Sequence, residues 1–580
     1  MGSPRFMVNT MKNKDVANLL YEIADILEIQ DVKFKPQAYR RAAQNIESLG
    51  EDIESIHKND KLRDIPGIGE AIAKKIGEFL NTGELRYLET LKSEVPEGLL
   101  TMLEIPGLGP KKVALLHKEL GLTTIDELKS ACENHELEGI KGLGTKTEEN
   151  ILRGIGLLER AKGRFLLNIA QEHGDELKAY LRTHKSVKKI ELAGSLRRRK
   201  ETVGDIDILV SSNKAEDVMN HFVSYDGVAE IVMKGDTKSS IRLGDGMQVD
   251  LRVVPKDSFG AALQYFTGSK EHNVKLRKLA ISKKLKINEY GVFKKDTEEK
   301  IAGSDERKVY MALGLDYIPP ELREDNGEIE LVQEMKLPKL IELADIRGDL
   351  HVHSEYSDGN ASIMELVEAA KWLGYSYIAI CDHSESLKIA GGLSKKKLKR
   401  QVQEIQKINE RVQDFHVLSS LECNINSDGS LDIQSDMEKE LDFITGAIHA
   451  SFNMKEKEMT KRIISAMENE RMKVFAHPTG RLIQRREAYG VNIEEIIDSA
   501  KENEVFLEIN SFPDRLDLND TNIRFAKSKG IMYSIGTDSH NVGHLGFMRY
   551  GVSTARRGWL EKKDVINTMS TSKLKKLLAH

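Results

Sequence analysis

The chain has 580 residues, too many for one core, and a scale of about 150 residues per domain predicts three to five units. Hydrophobic residues make up 40% and charged residues 31%, the balance of a globular chain in water, and no run of ~18 apolar residues offers a membrane span. The net charge of -5 excludes a general electrostatic attraction to nucleic acid, so any polyanion must be met by local basic surfaces.

The three cysteines, Cys132, Cys381 and Cys423, are scattered without a CxxC pair. That argues against a disulfide framework or a zinc–thiolate site and fits a reducing cytoplasm. The N-terminus lacks the charged-then-apolar layout of a signal peptide, and Met1–Phe6 reads as a cloning remnant ahead of Met7 or Met11.

From about 14 to 92 the pattern predicts short amphipathic helices, with Leu19, Ile23, Ile26 and Leu27 forming an apolar stripe. Two punctuated segments follow one design: Ile65-Pro66-Gly67-Ile68-Gly69 and Ile105-Pro106-Gly107-Leu108-Gly109, each leading into a lysine-bearing helix. Ile140-Lys141-Gly142-Leu143-Gly144 is a looser third copy. In such a turn Gly67, Gly69, Gly107 and Gly109 accept unusual backbone angles and keep the surface bare, so amides of the next helix can hold a phosphate oxygen without reading bases. A helical turn made only for packing is the alternative. Three copies favour DNA-backbone binding, and the segments resemble the helix-hairpin-helix motif.

After about 187 the period becomes two. Val187 to Leu192, Ile206 to Val210, Ala229 to Met233 and Met247 to Val254 read as strands. A basic helical stretch runs from Phe259 to about Lys286, and the acidic, proline-bearing segment from about 318 to 345 reads as a linker. Short apolar strands (Tyr377–Ile380, Phe443–Gly446, Val474–Ala476, Val505–Ile509, Tyr533–Ile535) then alternate with helices, a β/α repeat that places chemistry at the C-terminal ends of its strands.

Gly194-Ser195-Leu196-Arg197-Arg198 precedes Gly204-Asp205-Ile206-Asp207. Residues i and i+2 of a strand share a face, so Asp205 and Asp207 point together while Ile206 and Ile208 enter the core. Asp250 sits in a second apolar strand. Three converging carboxylates can hold two hard cations such as Mg²⁺ that clamp the oxygens of a phosphoryl transfer. Gly194, Ser195 and the arginines beside them can cradle a triphosphate. A lone DxD is usually a surface turn, but this pair follows a Gly-Ser turn and has a third carboxylate.

With Tyr265-Phe266-Thr267-Gly268-Ser269, these features resemble the palm and thumb of family X DNA polymerases over about the first 320 residues. The resemblance implies that Asp205 and Asp207 bind both metals, Mg²⁺ or Mn²⁺, and that Asp250 binds the catalytic one. It places Gly194, Ser195, Arg198 and Gly204 around the triphosphate, Tyr265, Phe266 and Gly268 at the sugar, and Asn273 and Arg277 by the nascent base pair. Gln248 stands where vertebrate relatives carry an arginine. Lys75 matches the family's lyase nucleophile, with Lys35 and Arg40 in phosphate-binding positions, but Lys74 and Ala71 depart from the vertebrate pattern. The plain alternative for Lys75 is a phosphate contact.

The last part opens on Asp349-Leu350-His351-Val352-His353, followed by Asp358, His383, Glu422, His449, His477, Asp538 and His540, mostly just after apolar strands. Imidazoles and carboxylates in this ratio suit Mn²⁺, Zn²⁺ or Fe²⁺, and nine ligands suit two or three ions rather than one. Such a cluster can activate water and hold a phosphate in line. Cys381 and Cys423, next to ligands, fall on the packing side, and Arg485, Arg486 and His544 read as a solvated loop face, with binding of substrate phosphate as the alternative. The HxH start, the His-Pro pair and the Asp-Ser-His end resemble the PHP (polymerase and histidinol phosphatase) superfamily, a distorted (β/α)₇ barrel.

The joined architecture is similar to prokaryotic family X polymerases. The fold expected is multidomain α+β and α/β: residues 7–95 a lyase-like helical domain with the first hairpin, 96–155 fingers with the hairpin repeats, 156–258 palm, 259–320 thumb, 321–345 linker and 346–580 PHP barrel. The resemblance implies a cytoplasmic, monomeric, gap-filling repair polymerase with a metal-dependent 3′-5′ exonuclease and an abasic-site endonuclease in some relatives. Its partners would be gapped or primer-template DNA and deoxynucleoside triphosphates, with no membrane. A phosphoesterase that only grips DNA through its first half, or a non-catalytic scaffold, predicts gaps in these clusters, and none is present.

Overall fold

The computed structural model describes residues 9–47, 49 and 52–579; the leading segment 1–6 lies outside them. In helix α1 (Asn9–Ile29), Val16, Leu20, Ile23 and Leu27 recur every three or four residues, share one face and are buried against α2 (Lys35–Glu47). The three hairpins close identically. The amides of Ile68, Leu108 and Leu143 donate to the carbonyls of Ile65, Ile105 and Ile140 at 3.1, 3.0 and 2.9 Å. Between them Gly67, Gly107 and Gly142 take φ of +80°, +84° and +92°, where glycine alone is at ease. Gly69, Gly109 and Gly144 then precede α3 (Glu70–Thr82), α4 (Pro110–Leu120) and α5 (Thr145–Ala161). The looser third copy is therefore the same turn. One apolar cluster from Val16 to Ile155 serves all of these helices, so the described parts of the expected lyase-like domain and fingers share a core.

The palm sheet is built from β1 (Lys189–Leu192), β2 (Asp205–Ser211), β3 (Val228–Lys234), β4 (Lys238–Leu243) and β5 (Gln248–Val254) in the order β1-β2-β5-β4-β3. Only β2 and β5 run parallel. Ile206, Ile208, Val249 and Leu251 fill the core beneath them. β3 is an edge strand, and its Ile231, Val232 and Met233 are exposed.

The basic stretch after Phe259 is two helices, α6 (Phe259–Thr267) and α7 (Lys270–Ser282), broken where Gly268 turns to φ +70°. A three-stranded antiparallel ribbon (Leu285–Asn288, Gly291–Lys294, Lys300–Ala302) and α8 (Glu306–Ala312) complete the thumb. The segment read as a linker is folded. It carries α9 (Glu328–Gln333), and Ile329, Val332 and Leu340 lie in the thumb's apolar cluster together with Trp559. Two of its acidic residues are turned inward to distant partners: Glu328 pairs with His272 Nδ1 at 2.6 Å, and Glu321 accepts from Arg556 at 2.8 Å.

The C-terminal part is a closed parallel barrel of β6 (Gly348–Val352), β7 (Tyr377–Ile380), β8 (His416–Ser419), β9 (Glu422–Asn424), β10 (Ile444–Ala447), β11 (Met472–Phe475), β12 (Phe506–Asn510) and β13 (Tyr533–Gly536). β8 and β9 are two pieces of one interrupted strand, β8 pairing with β7 and β9 with β10, which leaves seven staves. The ring closes where His353 N donates to Ser539 O at 2.8 Å and Asp538 N to His351 O at 2.9 Å. Helix α10 (Met548–Arg557) lies between barrel and palm, and Tyr550 joins the palm's apolar cluster with Ile483 and Leu516.

Candidate metal centres

Parallel pairing of β2 with β5 sets Asp207 directly opposite Asp250 and Asp205 opposite Gln248. With Ile206 and Ile208 turned into the core, the three carboxylates leave the sheet on one face. Gly194 comes so close that a Cβ there would stand 2.2 Å from Asp207 Oδ2, and its φ is +60°. Burial, then repulsion from Asp205 and Asp250, pushes the Asp207 carboxyl up to about 7. Burial and Asp250 raise Asp205 as well. Asp250 goes the other way: burial would raise it, but hydrogen bonds from Lys238, Ser240 and Gln248 outweigh burial. Lys238 Nζ lies 2.9 Å from Asp250 Oδ2, and Gln248 Nε2 donates to Oδ1 at 3.0 Å. Lys238, from the neighbouring strand, thus brings a cation to Asp250 where Gln248 itself has none. Three carboxylates converging on one face, with Asp207 directly opposite Asp250, are a donor set that fits small divalent cations.

Around them, Ser195 is half-buried in the short helix Gly194–Arg197, and Gly204 leads into Asp205. Arg198 donates from Nε to Glu324 Oε1 at 3.0 Å and from Nη1 to the Thr267 carbonyl at 2.6 Å, beside Gly268. Tyr265 and Phe266 meet edge to face at 5.1 Å, with the exposed Arg277 guanidinium 5.9 Å from the Tyr265 ring. Asn273 is buried: it donates to the Tyr265 carbonyl at 2.7 Å and accepts from Gln264, so it holds this turn's backbone.

Among the helices, a Cβ on Gly69, Gly107 or Gly109 would meet nothing within 4 Å, which leaves a bare surface. Lys35 is exposed, but Arg40 pairs with Asp25 at 2.6 Å and with Glu28, so α1 carboxylates hold its guanidinium. Lys75 Nζ rests 4.3 Å from the centre of the Tyr87 ring, and burial followed by the Lys35 charge lowers its amine. Lys74 pairs with Glu70 at 2.9 Å.

All nine ligand-type residues of the barrel converge at one mouth. Donor atoms of eight of them form three overlapping groups: His353, Asp358, His383 and His540; His351, His353 and Asp538; and His383, Glu422 and His449, with His477 joined through Glu422. Glu422 is central, with Oε1 3.1 Å from His449 and 3.0 Å from His477, and Oε2 2.9 Å from His383. Burial would raise its carboxyl, but the His449, His383 and His351 charges hold it well below the usual range. Burial, then the His540 and His383 charges, pulls His353 down to about 4, leaving a neutral imidazole. Nδ1 of His353, His449 and His477 is buried without a hydrogen-bond partner among the described residues. Buried imidazoles whose Nε2 atoms converge with carboxylate oxygens are a donor set that fits a transition-metal cluster.

Sequence reasoning missed the residues that orient this set. Glu508 takes His351 Nδ1 at 2.7 Å on one oxygen and the His477 amide at 2.7 Å on the other. Asp349 accepts from the His351 and Thr537 amides, and the buried Asp382 from Ser354 and Ser357. A lone carboxylate inside Val505–Ile509 was the available signal for Glu508. Cys381 and Cys423 are fully buried, as packing requires. The solvated-face reading holds for Arg485, which is exposed, and is corrected for two neighbours. Arg486 donates to the Gly480 carbonyl at 2.8 Å over the Phe452 ring, and His544 stacks on Phe547 at 4.9 Å, because apolar rings cover that loop.

A palm with three converging carboxylates, joined to a closed barrel lined with imidazoles, defines a nucleotidyltransferase coupled to a metallophosphoesterase-type domain. Comparison with known proteins sharpens that class. Residues 11–85 match the helix-hairpin-helix domain, 99–156 the SAM-like helix-hairpin-helix tandem, 262–324 the DNA polymerase beta thumb and 349–512 the PHP domain. The chain is 39% identical over 563 residues to the DNA polymerase/3′-5′ exonuclease PolX of Bacillus subtilis (strain 168), covering 97% of this chain and 98% of that protein. It is 25% identical to DNA polymerase lambda of Rattus norvegicus and 26% to that of Arabidopsis thaliana, over 54% and 48% of this chain and 57% and 54% of those proteins. The chain belongs to the family of the Bacillus subtilis protein, the bacterial family X DNA polymerases that carry a PHP domain.

Proposed function

We propose that this protein fills gaps in DNA during repair and trims 3′ ends with its barrel, with the two activities at the two metal centres. The observation that carries the reading is the register that sets Asp207 opposite Asp250, beside Asp205, in a chain whose barrel ligand set is complete. Asp205, Asp207 and Asp250 would hold Mg²⁺ or Mn²⁺, and the nine barrel residues two or three ions of Mn²⁺, Zn²⁺ or Fe²⁺. When bound, such cations polarise phosphate oxygens and offset the charge that develops on them.

The chain's own residues do the rest. Asp250 accepts the proton of the primer 3′-hydroxyl as its oxygen attacks the α-phosphorus and pyrophosphate leaves. Gly194, Ser195, Arg198 and Gly204 bind the triphosphate, and Tyr265, Phe266 and Gly268 bound the sugar. Arg277 reaches the nascent base pair, while Asn273 fixes the Tyr265 backbone. Gly67, Gly69, Gly107, Gly109 and Lys35 hold the DNA backbone. The helix-hairpin-helix and thumb matches support DNA and nucleotide partners. No described helix is long and apolar enough to cross a membrane, and we place the protein in the cytoplasm as a monomer.

For Lys75 we take the phosphate contact, since Lys74 and Ala71 stand where the vertebrate lyase pattern has a carboxylate and a basic residue. A borohydride-trapped adduct with an abasic substrate, lost in Lys75→Ala, would replace that role with a lyase. The main test is primer extension on a one-nucleotide gap with Asp205→Ala and His351→Ala. The first should stop extension and keep trimming, the second the reverse. Extension by Asp205→Ala, or Mn²⁺-dependent trimming by His351→Ala, would overturn the assignment. An abasic-site substrate in the same assay decides whether the barrel also cuts there.

A further inference from the structure

The barrel reaches back into the wall of the palm. Arg557, the last residue of α10, is buried, and its guanidinium donates to three acceptors: the main-chain carbonyl of Arg198 at 2.8 Å, Glu324 Oε1 at 3.0 Å and Asp520 Oδ2 at 2.5 Å. The same Glu324 Oε1 accepts from Arg198 Nε. One carboxylate oxygen is thus shared by an arginine of the palm and an arginine of the barrel. Two guanidinium groups can meet there because Glu324 and Asp520 balance their charge, which makes the quartet neutral as buried ions require. Both ends of Arg198, backbone and side chain, are therefore tied directly or through Glu324 to Arg557. With Nε on Glu324 and Nη1 on Thr267, no hydrogen bond among the described residues ends on Arg198 Nη2.

Other contacts hold the barrel in place: Arg556 to Glu321 at 2.8 Å, Arg481 to Glu201 at 2.7 Å and Arg160 to Glu487 at 2.5 Å. None of these touches Arg198. We propose that Arg557 is a positioning residue for nucleotide incorporation. Acting through Glu324, it fixes the orientation in which Arg198 presents Nη2 to the anionic triphosphate, so the exonuclease barrel forms the back wall of the polymerase's nucleotide site. The inference rests on reading Arg198 as a triphosphate contact.

Steady-state gap filling by the full chain tests it, with inhibition by inorganic tripolyphosphate as a probe of the cradle and trimming of a single-stranded 3′ end as a control. Arg557→Ala should raise KM for the nucleotide roughly tenfold, the scale of losing one charge-assisted hydrogen bond, and weaken tripolyphosphate inhibition by the same factor. Its kcat and its trimming rate should stay within about twofold. Arg557→Lys should recover part of the loss, because an ammonium still reaches Glu324. Glu324→Gln keeps the local shape and should raise KM likewise, and combining it with Arg557→Ala should add little, as expected for one network. If Arg198→Ala raises KM but neither Arg557→Ala nor Glu324→Gln does, the positioning role is wrong while the reading of Arg198 stands. If Arg198→Ala leaves KM unchanged, that reading fails and the inference with it. A parallel fall of gap filling, trimming and thermal midpoint in Arg557→Ala, with KM unmoved in Glu324→Gln, would reduce Arg557 to a domain fastener.

Discussion

Glu508 accepts a hydrogen bond from His351 Nδ1 at 2.7 Å, and its other oxygen takes the main-chain amide of His477 at the same distance. One fully buried carboxylate therefore orients two of the barrel's ligand-bearing segments and fixes which nitrogen of His351 faces the other ligands. Glu508→Gln keeps the shape and removes the charge. Trimming of 3′ ends should fall about 10- to 100-fold, the usual consequence of disturbing a ligand's supporting partner. Gap filling by the same preparation should be unchanged. Full trimming activity in this variant would mean that His351 needs no such support.

Gly194 is the point where backbone geometry and the palm site meet. Its φ is +60°, and a Cβ would lie 2.2 Å from Asp207 Oδ2, so Gly194→Ala must displace either the loop or the carboxylate. Backbone strain alone costs about 1–3 kcal/mol. Primer extension should fall far more than stability does, because the Ala193 amide also holds the Asp207 carbonyl at 2.8 Å. The check is extension rate beside a denaturant melt. Normal extension would show that the loop need not approach so closely.

Glu306 joins palm to thumb. It accepts from Arg197 at 2.8 and 2.7 Å and from the fully buried Arg323 at 2.7 Å. Burial alone would raise its carboxyl, but the Arg323 charge and the Arg197 hydrogen bonds outweigh burial and hold it at about 2, against an ordinary 4.5. A group depressed on folding contributes its full stability above its unfolded value and loses it as pH falls toward the folded one. The gap corresponds to about 3 kcal/mol. Glu306→Gln should lower the unfolding free energy near neutral pH by about that amount, since it leaves Arg323 buried without a countercharge. The deficit against the unmodified protein should shrink as pH is taken from 4.5 toward about 2. Urea titrations across that range measure it, and a deficit independent of pH would refute the ion-pair account.

What could be read before folding was whatever repeats or alternates locally. Asp205 and Asp207 announced their shared face through Ile206 and Ile208, and three glycine turns announced each other. The register that puts Asp250 opposite Asp207 was hidden, because parallel neighbours are joined through about 40 intervening residues and nothing local encodes their pairing. Lys238 was hidden for a different reason: it meets Asp250 across an antiparallel pair joined by a short turn, and a lone lysine at a strand start does not reveal its register. Residues 321–345 looked like a solvated linker because acidic composition alone cannot reveal partners as distant as His272 or Arg556. Strand β8 escaped notice because four residues after a long amphipathic helix carry too little periodicity.

The barrel's three donor groups overlap unequally, which separates ligands that sequence spacing treats alike. Asp358 Oδ2 lies 3.4 Å from both His383 and His540, and Asp358 is the only carboxylate of that group. The other two groups keep Asp538 and Glu422. His353, by contrast, belongs to two groups at once. Asp358→Ala should therefore lose about one bound ion per chain after dialysis against Mn²⁺, and His353→Ala about two. Elemental analysis of the dialysed variants gives the counts, with trimming assayed on the same samples. Trimming should drop in both, because a cluster that holds a phosphate in line needs ions on either side of it. Equal metal loss in the two variants would mean that the groups fill as a single cooperative unit rather than as the overlapping subsites their donor distances describe.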